Sequence, residues 1–164
     1  MLSPARVTVI DTVVQFDAPI DVTFEYLADP ANRPEWQSSL RRIDDLRPIG
    51  DLAGDVGTSW TDITVVPGVS PRMEVTACES RRRWQEIGRW RSVDAVLTLT
   101  FAERGGGDRH GGERDGGTDV HAEAVLTVPA VAGLVLSATR WPAAQAVRAD
   151  LERAARLLAG RGSR

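Results

Sequence analysis

Lysine is missing from this chain altogether, since all 20 basic residues are arginine. Schiff-base and lysine-nucleophile mechanisms are thereby removed, apart from the N-terminal amine, and a GC-rich coding bias is the plain explanation. Cysteine is nearly missing too. Cys78 alone cannot form an intramolecular disulfide, so nothing marks a secreted, disulfide-stapled domain and a cytoplasmic location is the default expectation. Positive charge is in short supply: a formal charge of -3 and a pI near 5.4 give no general electrostatic reason to bind nucleic acid or an anionic membrane. No stretch approaches the roughly 18 uninterrupted apolar residues of a spanning helix, and the opening MLSPARVTVIDT lacks the charged start and apolar run of a signal peptide. Membrane insertion is not expected.

Several catalytic signatures are absent as well. There is no Gly-x-Ser-x-Gly elbow, and His110 lies in a glycine-rich loop, so a Ser/His/Asp triad has no support. No glycine-rich nucleotide-binding spacing follows a strand and opens a helix. His121-Ala122-Glu123 has the His-x-Glu form of zinc deaminases but lacks their Pro-Cys-x-x-Cys partner segment. Strand alternation puts His121 and Glu123 opposite Ala122 on a wet face, as a surface pair. Neither a metal nor any other cofactor is expected.

What the chain does have is enough apolar material for a sizeable core: 42% of its 164 residues are hydrophobic, which suits one compact domain over 1–164. The most specific punctuation lies in Asp17 to Trp36, DAPIDVTFEYLADPANRPEW. Pro19 sits where a first helical turn tolerates a missing N–H, and Asp21 adds negative charge to that turn. Val22, Phe24, Tyr26 and Leu27 supply bulk for a buried side. Asp29-Pro30 stops the helix, because the residue before proline disfavours helical geometry. Asn32 then offers a capping side chain ahead of a second turn that ends near Trp36. A strand followed by two short helices is an unusual opening.

Ala18-Pro19, Phe24, Leu27-Ala28-Asp29-Pro30, Asn32 and Trp36, with Val56-Gly57-Thr58-Ser59-Trp60 further on, resemble the START/SRPBCC helix-grip superfamily, in particular its polyketide cyclase/dehydrase branch. Element order extends the resemblance from about Val7 to Leu158. It implies an α+β helix-grip fold: a curved antiparallel sheet of about seven strands wrapped around a long C-terminal helix, with two short helices after the first strand. These motifs are structural punctuation, so they specify the fold better than a reaction.

The rest of the chain fits that order. Leu40, Ile43, Leu46 and Ile49 repeat every three residues, as in a helix, while the resemblance implies a strand there. Thr58 to Val66 and Pro71 to Glu79 read as strands, the second with Met73, Val75 and Ala77 on one face. Val93 to Glu103 puts Val93, Ala95, Leu97, Leu99 and Phe101 inside, and Thr118 to Val128 pairs with it through Val120, Ala122, Ala124, Leu126 and Val128. Between them, residues 105–117 read as a long mobile hairpin loop, too rich in glycine and charge to offset the entropy of ordering. After Pro129 the chain is helical to about Ala159, with a kink or a restart expected at Pro142, and residues 161–164 read as a disordered tail.

A helix-grip shape implies a space between sheet and helix, and concave apolar space with few polar groups is the usual small-molecule site. The candidate lining is Trp36, Trp60, Met73, Val75, Trp84, Trp90, Leu97, Leu99 and Trp141. Glu86 is the candidate catalytic residue, provided that Trp84, Gly88 and Trp90 point inward and carry it with them. The opposite parity, with Ile87 inside and Glu86 in solvent, is the one the pattern slightly favours. Arg72 and Arg140 could steady an anionic ligand group. Binding of a small hydrophobic ligand, lipid- or polyketide-like, is the first reading. A cyclase/dehydrase-like enzyme using Glu86 is the second, and a regulatory or toxin-like interaction module of the same superfamily the third. The sequence leaves oligomeric state open.

Overall fold

The computed structural model describes residues 4–105 and 116–162, with 130–144 described as helical backbone alone. Strand β1 (Ala5–Phe16) leads into helix α1 (Ile20–Ala28), a 3-10 turn (Pro30–Asn32) and helix α2 (Arg33–Trp36). Six strands follow: β2 (Leu40–Arg47), β3 (Ser59–Thr64), β4 (Arg72–Glu79), β5 (Arg83–Trp90), β6 (Val93–Arg104) and β7 (Gly117–Val128). Helix α3 (Ala130–Gly162) ends the described chain. The sheet order is β1-β7-β6-β5-β4-β3-β2, every neighbour antiparallel. β1 and β2 are therefore the two edges, and α1 with α2 carries the chain from one edge to the other. This is the helix-grip arrangement that the family resemblance implies.

Local sequence explains the details. Pro19 precedes α1, Phe24, Tyr26 and Leu27 are buried, and the Asp29 carboxylate caps the 3-10 turn by accepting from Ala31 N at 2.9 Å. Two expectations for this stretch need correction. Val22 is exposed and Thr23 takes the buried place, its hydroxyl donating to Ala18 O at 3.4 Å. Asn32 makes no side-chain cap; its amide donates instead to Tyr26 O at 3.0 Å, fastening the second turn to the first helix.

β2 resolves the three-residue spacing as a strand with broken alternation. Its register against β3 shifts twice, between Leu40 and Arg42 and between Asp44 and Arg47, and Asp45 sits at φ 53°. Such bulges destroy a period of two and also blunt an edge strand against pairing with another chain. A further bulge between Thr8 and Ile10 lets both Val9 and Ile10 be buried in β1.

The core runs along the inward sheet face. Phe16, Trp60, Val75, Trp84, Leu99, Val120 and Ala122 pack with Leu151, Ala154 and Leu158 of α3, which recur at the three- and four-residue steps of one helix face. Asp150 joins α3 to the α2–β2 connection by accepting from Ser38 N at 3.0 Å. α3 is a single element through Pro142, so of the kink or restart expected there the restart does not occur: a proline removes one backbone hydrogen bond, which the turns on either side can bridge. The helix also continues to Gly162, beyond the expected start of the tail at 161. The expected mobile loop lies, over residues 106–115, outside the described residues, as do 163–164. β6 and β7 stay in register up to the Arg104–Gly117 pair.

Candidate functional site

β5 settles its parity through its neighbours. Glu86 stands opposite Val75 of β4 and Leu97 of β6, and Leu97 in turn faces Ala124 of β7, which faces Ile10 of β1. That row is apolar and inward apart from one carboxylate. Trp84, Glu86 and Gly88 are all buried, and Glu86 is 2% exposed, so the solvent-facing parity that the pattern slightly favours is overturned. Ile87 lies half-buried on the other face, where a β-branched residue needs no complete burial to be accommodated.

Glu86 has company that the sequence reading did not assign to the site. Arg33 at the start of α2 donates from Nη1 to Glu86 Oε2 at 2.6 Å and from Nη2 to Asp62 Oδ2 at 3.1 Å. Trp60 Nε1 donates to the other oxygen of Asp62 at 2.8 Å, and the Arg33 guanidinium lies 5.3 Å from the Trp60 ring centroid. Arg33 and Asp62 are each 3% exposed. Three charges from α2, β3 and β5, widely separated in sequence, thus meet inside an apolar core.

Among the described residues the electrostatics are unbalanced, with two carboxylates to one guanidinium. Burial pushes the Glu86 carboxyl above the usual carboxylate range, more than the pull of Arg33 lowers it, and the nearby Asp62 charge adds to the rise. For Arg33, burial opposes the charge, but Glu86 and Asp62 together outweigh it and hold the guanidinium cationic. Arg33 engages only one oxygen of the Glu86 carboxylate, Oε2, while Arg33 Nε and Trp36 Nε1 are buried donors without an acceptor among the described residues. Polar capacity is left over at this spot.

The apolar candidates divide by exposure. Trp36, Trp60, Met73, Val75, Trp84 and Leu99 are buried, whereas Trp90 and Leu97 are half-buried. Trp84 also fastens the β2–β3 connection, donating to Gly54 O at 3.0 Å. Arg72 does not join them: it is exposed, and its guanidinium donates to Ser59 Oγ at 3.0 Å. The side chains of Arg140 and Trp141 lie outside the described residues. A separate open groove of about 1010 Å³ between the start of α1 and the end of α3 is lined by Asp17, Glu25, Tyr26, Arg104 and Arg161 among others, and by none of the expected site residues. On the outer face His121 Nε2 lies 2.7 Å from Asp11 Oδ1, a surface pair across β1 and β7.

Two signals for Arg33 and Asp62 were present in the sequence. Arg33 precedes Trp36 by three residues, so one helical face carries both. Asp62 alternates with Trp60 onto the same strand face. An inward tryptophan brings each charge inward with it.

The family model for polyketide cyclase / dehydrase and lipid transport matches residues 7–161. The chain belongs to that family. Solved structures agree with this polyketide cyclase / dehydrase and lipid transport member in fold. Norcoclaurine synthase from Thalictrum flavum superposes with a TM-score of 0.60 at 16% identity, over 92% of this chain and 94% of that one. A Thermus thermophilus protein gives 0.65 at 13% identity over 95% and 98%, and a Deinococcus radiodurans protein 0.57 at 21% over 90% and 93%. Among curated proteins, none matches the chain.

Proposed function

We propose that this protein binds a small hydrophobic ligand, lipid- or polyketide-like, against the inward face of the sheet beneath α3. The observation that carries this reading is a gradient along β6. Phe101 and Leu99 are sealed, but Leu97, Ala95 and Val93 on the same face are half-buried, as are Leu126 beside Ala95 and Trp90 beside Val93. Half-open apolar side chains on an inward face are surface that a ligand would cover, at roughly 25 cal/mol per Å². Family membership in a group defined by polyketide chemistry and lipid transport points the same way.

Titration with the neutral fluorophore N-phenyl-1-naphthylamine tests it. Saturable, stoichiometric binding is expected, and Leu97→Trp, which fills the half-open part of the wall, should abolish it while leaving the far-UV spectrum intact. A folded wild-type protein that does not bind the probe would overturn the reading.

A second reading has an observation of its own. Glu86 is a buried carboxyl whose proton affinity is raised, the condition for acid-base work in an enolisation or dehydration. Against it, Glu86 is already engaged by Arg33 at 2.6 Å, which fixes it in place more than it frees it. In a cyclase/dehydrase-like enzyme, Glu86→Gln would cost about 100-fold or more in turnover with affinity nearly unchanged, the mark of a lost proton-transfer group. In a binding protein it shifts affinity modestly, and there is no turnover to lose.

A further inference from the structure

We propose that the Arg33, Asp62 and Glu86 cluster is a charge filter, which admits an apolar ligand ending in an uncharged hydroxyl and turns away the matching carboxylate. The inference rests on the hydrophobic-ligand reading and adds to it the chemistry of the ligand's polar end.

The argument begins with the imbalance. An anionic ligand is ordinarily welcomed by an arginine, but both terminal nitrogens of Arg33 are already bonded, one to each carboxylate. A ligand carboxylate would enter a buried site where the described residues already hold two carboxylates against one guanidinium. Like charges in a water-poor interior repel far more strongly than in bulk solvent. A carboxylate headgroup therefore meets a site built against it.

Hydrogen-bonding capacity then selects among uncharged groups. Arg33 engages only one oxygen of the Glu86 carboxylate, Oε2, and the other, Oε1, can accept. Arg33 Nε and Trp36 Nε1, one helical turn apart on α2, are buried donors without an acceptor. A ketone answers only the donors and an amine chiefly the acceptor. A hydroxyl donates and accepts through one oxygen, so an alcohol, phenol or enol meets both needs at once. The apolar remainder of such a ligand lies along Leu97, Ala95 and Leu126, the half-open side chains next to Glu86 in the sheet.

Competition against N-phenyl-1-naphthylamine tests this with two ligands of the same ring system, 2-naphthol and 2-naphthoate, at pH 7. The wild-type protein is expected to release the probe at a naphthol concentration at least about tenfold below that needed for naphthoate. In Glu86→Gln the ratio should fall to about threefold or less, because the surplus negative charge is gone while the shape is kept. Asp62→Asn serves the same purpose if thermal melts show that Glu86→Gln is unfolded. Equal or tighter binding of naphthoate by the wild type overturns the filter, as does displacement by neither compound, or an unchanged ratio in a folded variant. Absence of probe binding in the wild type instead removes the parent reading, and the filter with it.

Discussion

Replacing Arg33 by Met removes the counter-charge that two buried carboxylates share, while keeping most of the side-chain volume. The loss can be worked from the contacts. Arg33 makes two charge-assisted hydrogen bonds, at 2.6 and 3.1 Å, and a cation–π contact at 5.3 Å. Bonds of that kind contribute roughly 1.5–3 kcal/mol each, and breaking one side of a buried ion cluster costs about 3–5 kcal/mol because the partner charges stay behind. A midpoint of about 4 kcal/mol corresponds to a drop in Tm of about 8–16 °C for a domain of this size. Urea denaturation at pH 7, with thermal melts alongside, measures it. The cost should shrink as the pH falls towards 5, because the Glu86 carboxyl, whose proton affinity burial raises, can then bind a proton and cease to be a stranded charge. A loss below about 1 kcal/mol at pH 7, or one equally large at both pH values, would refute the claim that this charge cluster exists in the folded protein.

Other perturbations follow from the same structure. Glu86→Gln should change the pH dependence of stability: since the folded-state pKa of Glu86 is raised, the wild type is relatively most stable below about pH 4.3. Wild-type stability should decline against the variant as the pH rises through that raised value, and a difference flat between pH 4 and 8 in urea titrations would contradict the assignment. Gly54→Ala should destabilise by about 2 kcal/mol or more in the same assay, since its Cβ would lie 2.2 Å from the backbone oxygen of Ala28, which cannot swing aside as a side chain would. Leu151→Ala, at a position only 1% exposed in the α3 face against the sheet, should cost about 2–5 kcal/mol, and a cost below 1 would mean that the helix grips less than its packing implies. Replacing residues 105–116 by Asn-Gly should leave stability within about 2 kcal/mol, because β6 and β7 keep register up to Arg104 and Gly117 and closure cost changes by only about 0.6 kcal/mol per doubling of loop length.

The fold was legible because it is written in punctuation. Pro19, Asp29-Pro30 and Gly57 act through local backbone chemistry, which a sequence displays directly. Gly57, at φ 92°, takes a backbone form that side chains resist. The β6 and β7 alternation was equally plain, because Val93, Ala95, Leu97, Leu99 and Phe101 alternate with residues that are mostly polar. β2 was not, since two bulges and the positive φ of Asp45 hide its period. For the candidate site, most of the aromatic lining was readable as bulk that must go inside. The charges were harder. Arginine and aspartate belong on the surface by default, and their burial becomes sensible only when three of them from distant segments are known to meet. The parity of β5 failed for the same reason, because Glu86 argued for the wet face until its partner on α2 was in view.

That meeting has a cost which bears on function. A buried ion cluster is weak support for stability, since packed apolar residues of similar volume usually serve as well or better. Here the cluster is also incomplete among the described residues, with more carboxylates than guanidinium groups and two buried N–H donors without a partner. A purely structural network would be expected to close its hydrogen bonds, because a half-satisfied one is worse than none. The position compounds the point. Glu86 stands in the row where the sheet face changes from sealed at Leu99 to half-open at Leu97. Stability alone would place such a cluster at the rim, in water, whereas recognition of a polar end on an apolar ligand calls for it at this depth and in this unfinished state.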